Sequence, residues 1–453
     1  MTARKRIRLH RILPPGILAA ALVLGGARVE AADFTLVRDG KPAATIVIAE
    51  NALESNRFAA EELQTYVRRM SGAELPLATD NTALAGPKIL IGRSRLTDAL
   101  KMKIPAGFTR ALKEEGFIIQ TAGNDLVLAG NDGGPYRAPS AKDPSSFTNV
   151  YKGSLFAVYE VLERLGCRWY YPGEFGEVVP KVRTLSMPAT DETVRPSFPV
   201  RGFWYGLSAA HSQATNFNPQ TFDAMMSLWM VRNRFLPYGS VLSSAGDGSI
   251  MGPFKKMVPV VVDGKKERVN QMFLDHPEYF AVRKDGTRNE HYLCLAHTGV
   301  VAVATEAALQ FFRENPQANC FGYAPPDGAP TCECEACRFH NYNLMQKEPY
   351  DSRIQDISEG FYRFLNAVAV GVEQEFPGKW ITSTAYSGRT RPPMATRLND
   401  NISLHLAFLG YAQHHRLDFR GWMTQEKATL LRRWAKVNPF MVERQYYPAF
   451  QFH

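Results

Sequence analysis

"FYRFLNAVAVGVEQEFPGKWITSTAYS", residues 361–387, reads as a helix that delivers the chain into an apolar strand. The helix is expected over roughly 356–375 and the strand over Trp380–Tyr386. The same alternation continues on both sides. Upstream, helices fit residues 221–232 and 299–313, and strands fit near Phe203, near Arg234–Phe235, and at Tyr292–Ala296 and Asn319–Ala324. Downstream, strands at Ile402–Phe408 and Phe440–Arg444 flank a helix at 424–436. Strand and helix alternating over residues 200–453 predict an α/β fold of the (β/α)₈ TIM-barrel type. About seven strands are legible, and "QYYPAFQFH" follows the last of them. The barrel is therefore expected to be incomplete within this sequence.

Residues 32–190 read as a separate, smaller α/β domain. "ATIVIA" (Ala44–Ala49) and "KILIG" (Lys88–Gly92) are strand-like. Between them, Ala59, Leu63, Tyr66, Val67 and Met70 share one face of a helix over Asn51–Met70, which Gly72 ends. Phe117–Thr121 and Leu126–Ala129 form a hairpin through Gly123, Asn124 and Asp125, and a second helix starts near Ser154. The polar stretch Asp132–Asn149 reads as a surface loop. The prolines of "DETVRPSFPVRGFW", residues 191–204, mark a linker into the second domain.

Residues 1–31 have the layout of a secretory signal: a basic start (Arg4, Lys5, Arg6, Arg8, Arg11), an apolar run to Leu24, and small residues before Ala32. Export to the periplasm or beyond the cell is the expectation. The run from Ile17 to Leu24 is too short to span a bilayer, so no stable membrane insertion is expected after its removal. The net charge of +9 falls to +4 without this segment, because it carries six basic residues and one acidic. No basic stripe interleaved with aromatics follows, and nucleic acid is not an expected partner.

Six stretches resemble known families. "FAAEELQTYVRRMSGAELPL" and "GSLFAVYEVLERLGCRWYYPGEFGEVVPK" look like the N-terminal domain of α-glucuronidases and family 20 β-hexosaminidases. The remainder is similar to the bacterial domain of unknown function 4838. "HPEYFAVRKDGTRNEHYLCLAH", "YAPPDGAPTCECEACR", the helix-to-strand stretch of the opening and "ERQYYPAFQFH" recur there in this order. The resemblance implies an exported, glycoside hydrolase-like protein acting on a complex glycan, with no cofactor required for catalysis. A non-catalytic carbohydrate-binding protein on the same scaffold is the alternative. At one point the pattern departs from the hexosaminidases, which carry an adjacent Asp-Glu pair after the fourth strand. Here Asp327 precedes Gly328, so a substrate-assisted mechanism is not carried over.

Glycoside hydrolysis ordinarily uses two carboxyl groups, one protonated and one ionised. Asp327, after the strand "NCFGYA", and Glu443, at the end of "PFMVE", are the catalytic candidates, because barrel chemistry gathers at strand exits. Pro-Pro-Asp-Gly is equally a turn signal, and Glu443 equally suits an ion pair with an arginine. Trp204, His297, Tyr386 and His405 lie near predicted strand ends and are the substrate-binding candidates; core packing competes with that role for each.

"CECEAC" (332–337) is the strongest local signal for a metal or a cross-link. Cys332, Cys334 and Cys337, with His340 or Cys320 as a fourth ligand, suit a structural tetrahedral zinc. In an exported protein disulfides compete with that reading, although Cys332 and Cys334 would pair with each other only under strain. A metal-dependent enzyme built on this cluster is a further alternative. It is the weakest of the three, since four protein ligands leave no position for water.

Overall fold

A computed structural model describes residues 33–105, 116–133, 151–197, 201, 219–235, 249–262, 265–316, 318–326, 331–343, 356–407, 420–438 and 440–444. Among the described residues, the main elements of its N-terminal part are a mixed six-stranded sheet and two long helices. In chain order these are β1 (Thr45–Ile48), α1 (Glu54–Ser71), β2 (Leu77–Thr79), β3 (Lys88–Ile91), β4 (Phe117–Ala122), β5 (Asp125–Gly130), α2 (Gly153–Arg164) and β6 (Asp191–Val194). The strand order is β6-β4-β5-β3-β1-β2. Strands β2, β1, β3 and β5 run parallel, and β4, paired with β5, and β6 add the antiparallel edge.

Alternation along these strands explains why they read as almost continuously apolar. Ile46, Ile48, Ile89, Ile91, Leu126 and Leu128 pack with α1 and α2 on one face. Val47, Leu90, Val127, Ala129 and Ile118 pack on the other face, where Ile104 covers them. A sheet buried on both sides has no polar face to alternate. Helix α1 buries the expected stripe of Ala59, Leu63, Tyr66, Val67 and Met70. Gly72 ends it in the left-handed region (φ 78°), and its N–H returns to the Arg68 carbonyl.

The second part starts with α3 (Pro219–Arg232), which docks on the first through its C-terminal end. Trp229 donates its indole N–H to the Trp169 carbonyl at 2.9 Å, and Arg232 bridges Glu62 and Glu177. Two antiparallel hairpins follow, β7 (Met257–Val262) with β8 (Lys265–Asn270), and β9 (Phe280–Val282) with β10 (Arg288–Leu293). Then come α4 (Thr298–Glu314), β11 (Cys320–Gly322), α5 (Ser358–Glu375), β12 (Trp380–Ala385), β13 (Ile402–Ala407), α6 (Trp422–Val437) and β14 (Met441–Arg444).

Strands β11 to β14 form one parallel sheet in sequence order, and α4, α5 and α6 bury Ala304, Phe364, Leu365, Val368, Leu430 and Trp434 against one of its faces. The described residues thus contain a mixed α/β fold with a four-stranded parallel sheet; they do not contain a closed eight-stranded barrel.

Two predicted strands take other forms. The chain at Arg234–Phe235 is a turn, with Arg234 at φ 58° and its N–H on the Val231 carbonyl, because it is the termination of α3. Of the strand expected at Tyr292–Ala296, only Tyr292 and Leu293 are strand, as the end of β10, and the chain then turns. The partner of β10 is the local strand β9 rather than the parallel sheet, since the short turn through Asp285 and Gly286 favours a hairpin. The strand near Phe203 and most of the loop expected at Asp132–Asn149 lie outside the described residues. No helix among the described residues is long and apolar enough to cross a membrane.

Candidate functional site

Register in the parallel sheet decides which side chains share a face. Ile381, Ala385, Ile402, Leu404 and Leu406 belong to the core beneath the helices. The residues between them therefore point to the opposite face. Pairing of Thr382 with Ser403, Thr384 with His405, and Ala407 with Arg444 lines these up across three strands. Composition on this second face changes along the strands. At their start Trp380 is fully buried, edge-to-face with Phe440 at 4.8 Å, in the same core as Val231 of α3. Towards their C-terminal ends the face carries Thr384, His405 and Arg444, with Thr384 and His405 both buried.

Tyr386 follows β12 directly and is partly exposed. Ser387 after it adopts φ 54°, a left-handed conformation costly for a residue with a side chain, at the C-terminal edge of the sheet. The turn is braced from below: Arg389 is buried, donates its Nε–H to the Thr384 carbonyl at 2.9 Å, and accepts the Tyr362 hydroxyl on its own carbonyl at 2.6 Å. Backbone strain held by surrounding bonds in this way is typical of functional positions.

At the exit of β11, Tyr323 is fully buried with its hydroxyl on the Ala304 carbonyl at 2.6 Å. Pro325 and Pro326 then line a cleft together with Tyr292, Cys332, His340 and Arg363. Burial and the neighbouring Arg363 charge both lower the His340 pKa below its ordinary value, which keeps this imidazole neutral near pH 7. Asp327 is next in sequence to Pro326; it lies outside the described residues, as does Trp204.

The other candidates have defined neighbours. His297 caps α4, its Nδ1 accepting the Gly299 N–H at 3.1 Å, and its ring lies 5.2 Å from that of Tyr279. Glu443 pairs in register with Leu406, which puts it on the side of the helices and not with His405. Its carboxylate meets Lys427 Nζ of α6 at 2.6 Å, and the lysine side chain is buried. Glu443→Gln is expected to lower stability by about 1 kcal/mol in urea denaturation, because the half-open carboxylate is screened while Lys427 loses its partner. A loss of hydrolysis larger than a few-fold in that variant would return Glu443 to the chemistry.

A separate cluster lies beside the cleft. Cys294, immediately after β10, joins Cys332, Cys334 and Cys337, and all four Sγ atoms lie within 4.8 Å of one another. Cys294 Sγ is 3.6 Å from that of Cys334 and 3.8 Å from that of Cys337. None of the six cysteines is in a disulfide. Neither Cys320 nor His340 belongs to the group. Cys320 lies in β11 and packs against the core of the N-terminal part, while His340 lines the cleft. The crowding sets the thiols against one another. Contacts from Cys294 and Cys337 favour the Cys332 thiolate, whereas Cys294 is pushed up to about 12 chiefly by its contact with Cys332, and Cys337 is raised.

Cys294 is the residue that sequence reasoning missed. Its only signal was its inclusion among six cysteines, since local spacing pointed to His340. Arg444 was also passed over except as a possible partner of Glu443; strand parity separates the two, and pairing with β13 puts Arg444 on the face of His405.

The family model described as domain of unknown function (DUF4838) matches residues 171–452, from the end of the N-terminal part through β14. The chain belongs to the DUF4838 family. No curated protein matches the sequence. Among solved structures, the chain is similar to a family GH115 4-O-methyl-α-glucuronidase with specificity for decorated arabinogalactans, at a TM-score of 0.42 and 12% identity. That match covers 91% of this chain and 54% of the other, so the chain spans about half the length of the glucuronidase. A mutant Streptomyces plicatus β-hexosaminidase in complex with its GlcNAc product matches at a TM-score of 0.35 and 11% identity, over 91% of this chain and 71% of that one. A GH138 enzyme targeting pectin rhamnogalacturonan II matches at 0.30 and 9%, over 88% and 38%.

Proposed function

We propose that this DUF4838 member is an exported glycoside hydrolase-like protein that takes a complex glycan at the C-terminal edge of β11–β14, in a sheet completed as a (β/α)₈ barrel. The observation that carries this reading is the change along one sheet face from Trp380 and Phe440 to Thr384, His405 and Arg444. A face used only for packing would stay apolar, whereas barrel enzymes place their reactive groups at this end. The strained Ser387 beside Tyr386 and the sequence resemblance support the same edge. In this reading Asp327 supplies a catalytic carboxyl group. His405, Tyr386 and Arg444 contact sugar hydroxyl or carboxylate groups, and Trp204 offers a ring face. His297 serves as the cap of α4, and Glu443 as the partner of Lys427.

The second reading, a carbohydrate-binding protein without hydrolysis, is favoured by the engagement of Glu443 with Lys427, which removes one of the two expected carboxylates from the site. The full-length chain, assayed on aryl uronosides, aryl hexosaminides and decorated plant polysaccharides, separates the two. Release of sugar above the enzyme-free blank supports the first. Binding by calorimetry without release supports the second. Neither binding nor release across the panel would sink both.

A further inference from the structure

We propose that Cys294, Cys332, Cys334 and Cys337 hold one structural zinc ion in a closed tetrathiolate site. The site is independent of the glycan reading and rests on geometry. Zinc bound by four thiolates at about 2.3 Å in a tetrahedron sets its sulfurs ~3.8 Å apart. The separations of 3.6 Å from Cys294 to Cys334 and 3.8 Å from Cys294 to Cys337 match that edge. Disulfide sulfurs would lie ~2.05 Å apart. Sulfurs this close surround a single ion, whereas the cysteines of an iron–sulfur cluster bind separate irons and stand further apart.

The surroundings suit a metal that holds structure together. Cys294, Cys332 and Cys337 are buried, and four protein ligands complete the tetrahedron, so no position remains for a reacting water. The metal-dependent enzyme considered from the sequence therefore loses its open site. The Val282 N–H points at the Cys332 sulfur at 3.3 Å, the kind of outer hydrogen bond that steadies a ligating thiolate. The Glu333 N–H bonds the Val282 carbonyl at 2.9 Å, laying the cysteine loop along β9.

Phe280 and Leu293 anchor one side of the β9–β10 hairpin in the core beneath the helices, whereas the side that carries the cysteines has a small core of its own. Apart from cysteines, its small core consists of Ala281 with Val282, Tyr292 and Ala296 around it, and β10 opens with Arg288, Asn289, Glu290 and His291. A local core this small is the setting in which a bound metal adds order. The ion would tie the β9–β10 hairpin, through Cys294, to the loop between β11 and α5, through the other three ligands. It would thereby fix the wall of the cleft formed by Cys332 and Tyr292.

The test is elemental analysis of the purified full-length chain. We expect about one zinc per chain, with its release on denaturation accompanied by four titratable thiols from the cluster. Cys294→Ser should lose most of the metal, and His340→Ala and Cys320→Ser should keep it. Should Cys294→Ser fail to fold, cobalt(II) exchanged into the unaltered chain should give the intense thiolate charge-transfer and tetrahedral d–d bands of a tetrathiolate ion. Absence of bound metal and of those bands, iron in place of zinc, a disulfide within the cluster by mass spectrometry, or metal loss on His340→Ala would overturn the proposal.

Discussion

Arg232→Ala is expected to lower the stability of the full-length chain by about 3–5 kcal/mol. Arg232 is the junction of a buried charge network. Its Nε and one terminal nitrogen meet the Glu62 carboxylate at 3.0 and 3.2 Å, and the other terminal nitrogen meets Glu177 at 2.6 Å. Side-chain exposure is 12% for Arg232, 11% for Glu62 and 6% for Glu177, so neither carboxylate has water to fall back on. Burial alone would work against the arginine charge; the Glu62 carboxylate together with Tyr159 and Tyr66 outweighs it and raises the pKa.

Truncation affects the two carboxylates unequally. Glu177 keeps Arg69 at 2.6 Å and the Tyr66 hydroxyl at 2.9 Å, while among the described residues Glu62 keeps the Tyr159 hydroxyl at 3.0 Å. Adding Glu62→Gln to Arg232→Ala should therefore recover about 1–2 kcal/mol by removing the stranded charge. Arg232→Lys should fall between the native chain and Arg232→Ala, because an ammonium cannot divide a fork between two carboxylates. Urea unfolding monitored by tryptophan fluorescence is the appropriate measurement, since Trp169 and Trp229 border the network. A loss below about 1 kcal/mol would mean that α3 is held to the N-terminal part by packing alone.

Asp327→Asn is expected to lower the turnover of a glycan substrate by about 10²–10⁴-fold while leaving its affinity within a few-fold. The reasoning follows from the proposed role. A carboxyl group that gives or takes a proton at the scissile bond acts in the transition state, so its loss falls on kcat, whereas a group that only binds would raise KM. Asparagine preserves size and serves the Pro-Pro-Asp-Gly turn expected from the sequence as well as aspartate does. The competing structural role predicts the reverse pattern, with unchanged kcat in the asparagine variant and a loss of stability on Asp327→Ala. Unchanged kcat and KM in Asp327→Asn would remove this residue from catalysis.

Much of the scaffold was legible because its information is local. The stripe from Ala59 to Met70 and the αL stop at Gly72 define α1 within one stretch of chain. The strand expected at Trp380–Tyr386 and the helix before it recur as β12 and α5 with ends shifted by a residue or two. The misreadings arose where a short apolar run has more than one way to be satisfied. Tyr292–Ala296 looks like a sheet strand, yet a neighbouring strand in the same hairpin completes its hydrogen bonds first. Arg234–Phe235 looks extended because a helix termination and a strand start share the same residues.

By itself, then, the sequence determined most of the described elements, the order in which strands and helices alternate and the family to which the chain belongs. The tertiary structure decided which side chains meet. Glu443 and Arg444 are neighbours in sequence, but the two-residue period of a strand sends one to Lys427 under the helices and the other to the face of His405, and only pairing with β13 fixes which is which. Cys294 completes the thiol cluster because β9 and β10 fold back beside the loop after β11. A contact made by chain reversal across distant segments leaves no spacing to read, which is why the local histidine, His340, looked like the natural fourth ligand.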